Sequence, residues 1–389
     1  MMLKNKIYID GLGLVEGHFS GVGQYILGII RGLDQIIEDA KYNKLDYPEV
    51  YIFIPRNSVE KFKSFNFKHI YYKTLPCSFR MMSFLWYRNL MFPVDLFLGK
   101  GKYIFPRFVD MRLSFNKSDE LVVFDLSYEL YKQFSDDKNA EFLSREVRRS
   151  INNSKKVIAI SKNARKEIIG FYKLDPKKVV VATPAVDPTL FYRRSDEEID
   201  RVKRKYEIKG DYILALSNLE PRKNLKSLID AYCLLPREFT SKVGLLLVGV
   251  NGWKTDKLFE HIIEKVNKGY NIMRPFEFVT DKDKPAIISG AKMLVYPSHY
   301  EGFGMPPLEA LACGTPVITS DNSSLPEVVG NVGVMVPSNN VDLLTKEMLS
   351  YLRNIDNITK KTIIDGPTQA YKFSWKESAK IFLDNLESK

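Results

Sequence analysis

The sequence predicts an α/β protein built on two doubly wound parallel sheets, and three observations carry that expectation. Length is the first: 389 residues exceed the ~250–300 at which a single hydrophobic core stops growing, so two domains are expected. Rhythm is the second, because short Val/Ile/Leu runs alternate with segments of helical period along most of the chain. The third is that those runs are continuous rather than alternating, as strands buried on both faces require.

Taken in order, strands are expected at 6–10, 50–54, 121–124, 156–160 and 179–182, with helices over 22–37, 143–152 and 164–172. The rhythm resumes with strands at 212–217, 244–248, 293–296, 316–319 and 333–336, and helices over 225–234, 258–267 and 343–352. The domain break is expected within 184–209. There TPAVDPTLF supplies prolines and a turn, and DEEIDRVKRKYEIKG supplies a solvated helix. On this basis the first domain is 1–195 and the second 196–370. The closing segment 373–386 is amphipathic, with Trp375, Ala379, Phe382, Leu383 and Leu386 on one helical face. It either packs on its own domain or crosses back to the first, so 371–389 is set apart.

Composition narrows the function classes. Three cysteines, Cys77, Cys233 and Cys313, are too few and too scattered for a disulfide framework or a metal cluster, and they fit a reducing cytoplasm. The N-terminal apolar run is too short for a signal peptide, and no ~18-residue apolar stretch exists to span a membrane. The net charge of +11 is concentrated at 51–112, where 11 basic side chains face 3 acidic ones. The same stretch is rich in Phe, Trp and Tyr. It reads as an ordinary basic flank or as a surface for anionic membrane lipid; no motif supports nucleic acid. The four histidines, His18, His69, His261 and His299, have no metal-like spacing. Only His18 lies near a glycine loop.

Three motifs carry chemistry. In HFSGVGQYILGIIRGL, Gly21 and Gly23 sit where a loop enters a helix, letting backbone approach a ligand and offering unpaired N–H groups to an anion. A dinucleotide fingerprint is not met, since Gly11-Leu12-Gly13 is followed by Glu16 where glycine is required, which disfavours a dehydrogenase. In LSNLEPRKNLKSLIDAY, Arg222, Lys223 and Asn224 fall between the carboxyl end of a strand and a helix start. Cations there oppose the helix dipole, so a bound anion is the simplest reason for them. Arginine grips a diphosphate bidentately and lysine adds a point charge. In YPSHYEGFGMPPLEALACGTPVITSDNSSLPEVVG, Glu301 and Glu309 flank a Gly-Phe-Gly loop, and a helix is expected from Pro306 or Pro307. Carboxylates suit sugar and ribose hydroxyls, while the amides of Phe303, Gly304 and Met305 suit phosphate oxygens.

This last block resembles the Glu-x7-Glu donor motif of the retaining GT-B glycosyltransferases of family four, the group 1 glycosyltransferases. The resemblance extends to GVGQY, AISKNARKEI, TPAVD, EPRKN, LVGVNGW and the terminal FSW helix. It implies two Rossmann-like domains facing a cleft, acceptor-binding first and donor-binding second. Glu309 would hold the ribose hydroxyls. Glu301, with the backbone of Phe303–Met305 and the neighbouring Leu308, would hold the sugar and its phosphate. Arg222 and Lys223 would clamp the diphosphate, Gly21 and Gly23 would close over it, and backbone near Phe278 and Val279 would face the base. The implied chemistry is metal-independent transfer with retention of configuration, with no cofactor beyond the nucleotide-sugar substrate.

One departure concerns the His-Asp pair usual in the family: this chain has Phe124 in the His position and keeps Asp125. Phenylalanine cannot bond a hydroxyl, which fits a 6-deoxy sugar. LVGVNGW and SSLPEVVG look most like GDP-mannose users that build surface polysaccharide on a glycan or lipid-linked saccharide acceptor. A silent nucleotide-sugar binder, acting as partner or regulator, is the alternative, and Phe124 is its one support.

Overall fold

The computed structural model describes residues 6–15, 20–76, 78, 81, 92–114, 117–275 and 277–387. The chain divides into two compact units: Met1–Pro184 with Ser374–Lys389, and Ala185–Phe373. Residues 185–195, expected to close the first domain, belong to the second unit. The Phe191 carbonyl accepts from Tyr371 Oη at 3.0 Å, and the Arg194 amide donates to Ser289 Oγ at 3.1 Å.

Among the described residues the first unit holds seven parallel strands: β1 Lys6–Asp10, β2 Glu49–Pro55, β3 Tyr71–Leu75, β4 Lys102–Phe105, β5 Ser118–Val123, β6 Ser154–Ala159 and β7 Val179–Val181. Their order is β3-β2-β1-β4-β5-β6-β7. Two of them, β3 and β4, were not expected. β3 is an edge strand of which Tyr71 and Tyr72 are exposed, and β4 is four residues long, so neither shows a sustained apolar run. The centre of the sheet is mostly apolar, with Val50, Ile52, Leu121, Val122, Val157 and Ile158 fully buried, although Asp10 of β1 and Glu120 of β5 are buried there as well.

The closing helix Trp375–Glu387 packs on the helix Gly21–Tyr42 of this unit. Glycines at 28 and 32 permit the approach: a Cβ at Gly28 would lie 2.2 Å from the Trp375 indole, and one at Gly32 2.4 Å from the Trp375 carbonyl. Tyr25 meets the Trp375 ring edge-on at 5.6 Å, and Ser378 Oγ donates to the Thr183 carbonyl at 2.7 Å. Gly32→Ala is therefore expected to push this helix off its seat, at a cost of about 1–3 kcal/mol, read as a lower urea midpoint. The backbone carbonyl leaves less room to adjust than the indole does at Gly28.

Among the described residues the second unit holds six parallel strands: β8 Asp211–Leu216, β9 Val243–Val248, β10 Ile272–Met273, β11 Met293–Tyr296, β12 Val317–Ser320 and β13 Val334–Val336, ordered β10-β9-β8-β11-β12-β13. β10 was not expected, because two residues are too few to form a run. Strand order reverses between β8 and β11. In an open parallel sheet that switch point leaves a crevice at the carboxyl ends, where ligands bind.

Candidate active site

The segment after β8 lies on one side of the switch point. It passes through an extended Glu220 into a short 3₁₀ turn, Pro221–Lys223, and then the helix Leu225–Leu234. Asn224 joins the two in the left-handed region (φ 55°). Its side-chain amide donates to the carbonyls of Pro297 at 3.0 Å and Ser338 at 2.7 Å. That engagement makes Asn224 a tie between the β8 and β11 loops. The Arg222 carbonyl accepts from the His299 amide at 2.9 Å, a second tie.

The segment after β11 lies on the other side and carries Glu301. The Glu301 amide donates to Ser323 Oγ at 3.0 Å, and Ser324 Oγ lies 2.9 Å and 2.7 Å from the carbonyls of Glu301 and Phe303. Gly304 adopts φ +116°, and a Cβ there would meet Leu325 at 2.8 Å. The helix that follows is Met305–Ala312, starting before the prolines expected to open it. Pro306 and Pro307 lack N–H groups, so the amides that this helix start offers an anion reduce to those at Gly304 and Met305.

Between these segments lies a buried cluster of opposite charges. Arg222 Nη1 donates to Glu301 Oε2 at 3.1 Å and to the Tyr300 carbonyl at 2.9 Å, while Nη2 donates to Glu220 Oε1 at 2.8 Å. Lys223 Nζ donates to Glu301 Oε1 at 2.6 Å and to Tyr296 Oη at 2.9 Å. Burial alone would raise the Glu301 carboxyl. The ammonium of Lys223 and the guanidinium of Arg222 outweigh it and hold the pKa down at about 2. Glu301 is thus a carboxylate at every physiological pH.

Glu309, buried in the helix Met305–Ala312, has a separate partner. Its Oε1 lies 3.5 Å from Lys284 Nζ, which pairs at 3.0 Å with Asp281. Burial pushes the Glu309 carboxyl up, against the pull of Lys284. The turn bearing Lys284 is fixed through Asp283, which accepts from Lys205 Nζ at 2.6 Å, Tyr206 Oη at 3.0 Å and Thr280 Oγ1 at 3.0 Å. Just before it, Val279 is buried while Phe278 is exposed.

The structure therefore joins Arg222, Lys223 and Glu301 directly, and places Glu309 on a neighbouring cation. Leu308 is fully buried and Phe303 packs edge-on against Phe373 at 5.3 Å, so their side chains serve the core. Lys284 and Glu220 went unremarked in the sequence. Lys284 sits in the charged run TDKDKP, which looks like any solvated loop, and Glu220 carries no signal beyond its place two residues before Arg222. Among the described residues, no group of three or more His, Cys, Asp or Glu is arranged to hold a metal ion.

Three predicted residues belong to the first unit. Gly21 opens its helix, and the Gly23 amide is taken by the N-cap Ser20 Oγ at 3.3 Å. Asp125 Oδ1 accepts from the Ser127 amide at 2.8 Å and hydroxyl at 2.7 Å, bracing the turn after β5. Phe124 packs between Tyr25 and Phe108, each at 5.2 Å, so aromatic packing occupies that position. At this unit's own switch point, between β1 and β4, Asp10 pairs with Arg107 at 3.1 Å. His18 lies outside the described residues.

Residues 196–363 match the family described as Glycosyl transferases group 1. This stretch belongs to that family. O-antigen chain mannosyltransferase B of Escherichia coli is 33% identical over 253 residues, covering 65% of this chain and 65% of that protein. The chain thus spans a little under two thirds of this relative's length. Among solved structures, Anabaena HepE in complex with UDP and glucose superposes with a TM-score of 0.71 at 15% identity, covering 99% of this chain and 100% of that one. WaaG, a glycosyltransferase involved in lipopolysaccharide biosynthesis, gives 0.69 at 15% identity, covering 98% and 100%. At such identity these likenesses establish the fold, which is GT-B.

Proposed function

We propose that this chain is a retaining hexosyltransferase that moves mannose or a 6-deoxyhexose from a nucleoside diphosphate to a glycan or lipid-linked saccharide during surface polysaccharide synthesis. The observation that carries the reading is the Arg222–Lys223–Glu301 cluster at the switch point of a group 1 glycosyl transferase unit. The second unit is the donor-binding one, and the first takes the acceptor. As the sugar leaves, negative charge builds on the nucleoside diphosphate. Arg222 and Lys223 meet that charge with donors held in place before reaction, and in this reading they do so without a metal ion.

Glu301 and the amides of Gly304 and Met305 face the sugar and its phosphate, and Glu309 accepts from the ribose hydroxyls. The relative named O-antigen chain mannosyltransferase B favours mannose and GDP-mannose as donor. Phe124 offers the sugar no hydrogen bond, which keeps a 6-deoxyhexose in play. Incubation with GDP-mannose and a GDP-6-deoxyhexose, with product anomers assigned by NMR, tests the reaction. Product with the donor's anomeric configuration is expected; inverted product refutes retention, and no turnover with any nucleotide sugar refutes the activity.

No helix among the described residues is long and apolar enough to cross a membrane. A peripheral site on the cytoplasmic membrane face would bring the enzyme to a lipid-linked acceptor. The candidate surface is at the β3 edge of the first unit, where Tyr71 is 52%, Phe92 66%, Leu96 55% and Phe97 53% exposed. Lys73 Nζ donates to the Leu98 carbonyl at 3.1 Å, joining β3 to the short helix Asp95–Leu98. Phe97→Ser with Leu96→Ser is expected to weaken binding to anionic vesicles, and wild-type binding is expected to fall with added salt. Binding that neither change affects would return this edge to an ordinary solvated flank.

A further inference from the structure

Within the donor reading, we infer that Glu220 is the positioning residue of the diphosphate clamp: it holds the Arg222 fork while Glu301 gives up the two cations to the incoming phosphates. Two carboxylates now balance two cations. Glu301 sits within hydrogen-bonding distance of both Arg222 and Lys223, and Glu220 holds the other end of the Arg222 fork, 4.0 Å from Lys223 Nζ. A diphosphate binding the same cations brings two further negative charges to the place Glu301 occupies. The two anions repel, and one has to move.

The two carboxylates differ in what they hold, although both backbones are anchored. Glu301, in the loop between β11 and the helix Met305–Ala312, bonds both cations, whereas Glu220, in the loop after β8, bonds the Nη2 end of the Arg222 fork. Leu219 pairs with Asn251, its amide donates to the Val250 carbonyl at 2.9 Å, and the Gly252 amide donates to the Leu219 carbonyl at 2.9 Å. Gly252 is also packed tightly here, since a Cβ on it would lie 3.2 Å from Glu220 Cβ. A diphosphate that takes both cations competes with Glu301, which bonds both, so Glu301 is the carboxylate that shifts and Glu220, on the far end of the fork, the one that stays.

This arrangement has an experimental signature. Glu220→Gln removes a negative charge beside the clamp, so an anionic ligand binds more tightly. It also loosens Arg222, so turnover slows. KM and the Kd for the nucleoside diphosphate are expected to fall several-fold while kcat falls on the order of tenfold or more, opposite to the joint loss that a damaged fold produces. Glu220→Asp keeps the charge and is expected to restore the wild-type Kd with part of kcat; it also serves as the test if the Gln variant does not fold. Titration calorimetry with GDP, UDP, dTDP and ADP, alongside kinetics with the nucleotide sugar that turns over, reads both. Wild-type binding with unchanged kcat in the Gln variant, or a Kd raised by both variants, overturns the Glu220 assignment alone. Wild type that binds none of GDP, UDP, dTDP and ADP overturns the donor reading on which it rests.

Discussion

Arg222→Ala is expected to lower turnover by on the order of 10²–10³, the usual cost of removing one donor aimed at developing negative charge. The guanidinium binds Glu220, Glu301 and the Tyr300 carbonyl at once, so it fixes the loop that carries Glu301, and in the proposed clamp it also meets the phosphates. Lysine at 222 supplies one point charge and no planar fork, so Arg222→Lys is expected to recover little of the loss. Steady-state kinetics with saturating donor checks this. Near wild-type kcat in the alanine variant would remove Arg222 from the clamp.

Glu309→Gln is expected to weaken donor binding by about ten- to a hundredfold, as loss of hydrogen bonds to a charged acceptor implies. Burial of Glu309 also gives donor binding a pH dependence. Burial raises the Glu309 carboxyl above the ordinary glutamate range, so protonation sets in at higher pH than for a solvated glutamate. The protonated form is a poorer acceptor for ribose hydroxyls, so the wild-type donor KM rises as pH falls from neutrality toward the carboxylate range. Amide at 309 does not titrate, so this acid limb disappears in the variant. Glu301, held at about 2, contributes nothing to that limb. A KM profile that keeps its acid limb in Glu309→Gln would assign the titration elsewhere.

Much of this was legible in the sequence because the signals are local. Buried parallel strands write continuous apolar runs, and Arg222-Lys223 at a helix start is an electrostatic anomaly that asks for an anion. Partners distant in sequence leave no such mark. Lys284 becomes a partner of Glu309 only through a turn built on Asp283, Tyr206 and Lys205. Glu220 becomes distinct from Glu301 only in three dimensions, where Glu301 bonds both Arg222 and Lys223 and Glu220 bonds the Arg222 Nη2. Asn224 is bonded to the carbonyls of Pro297 and Ser338, a role that residue type does not encode. Strands β3 and β4 were hidden for another reason: edge position and brevity erase the apolar run. The closing helix was ambiguous until Gly28 and Gly32, spaced one helical turn apart, were seen to admit Trp375.

A nucleoside diphosphate sugar is expected to occupy the Arg222–Lys223–Glu301 cluster. Titration calorimetry of the wild type and the double variant Arg222→Ala/Lys223→Ala with GDP-mannose, UDP-glucose and their dTDP and ADP counterparts tests that directly. At least one donor is expected to bind the wild type and to lose binding in a double variant that remains folded. Equal binding to both proteins, or no binding of any donor to the wild type, would contradict it.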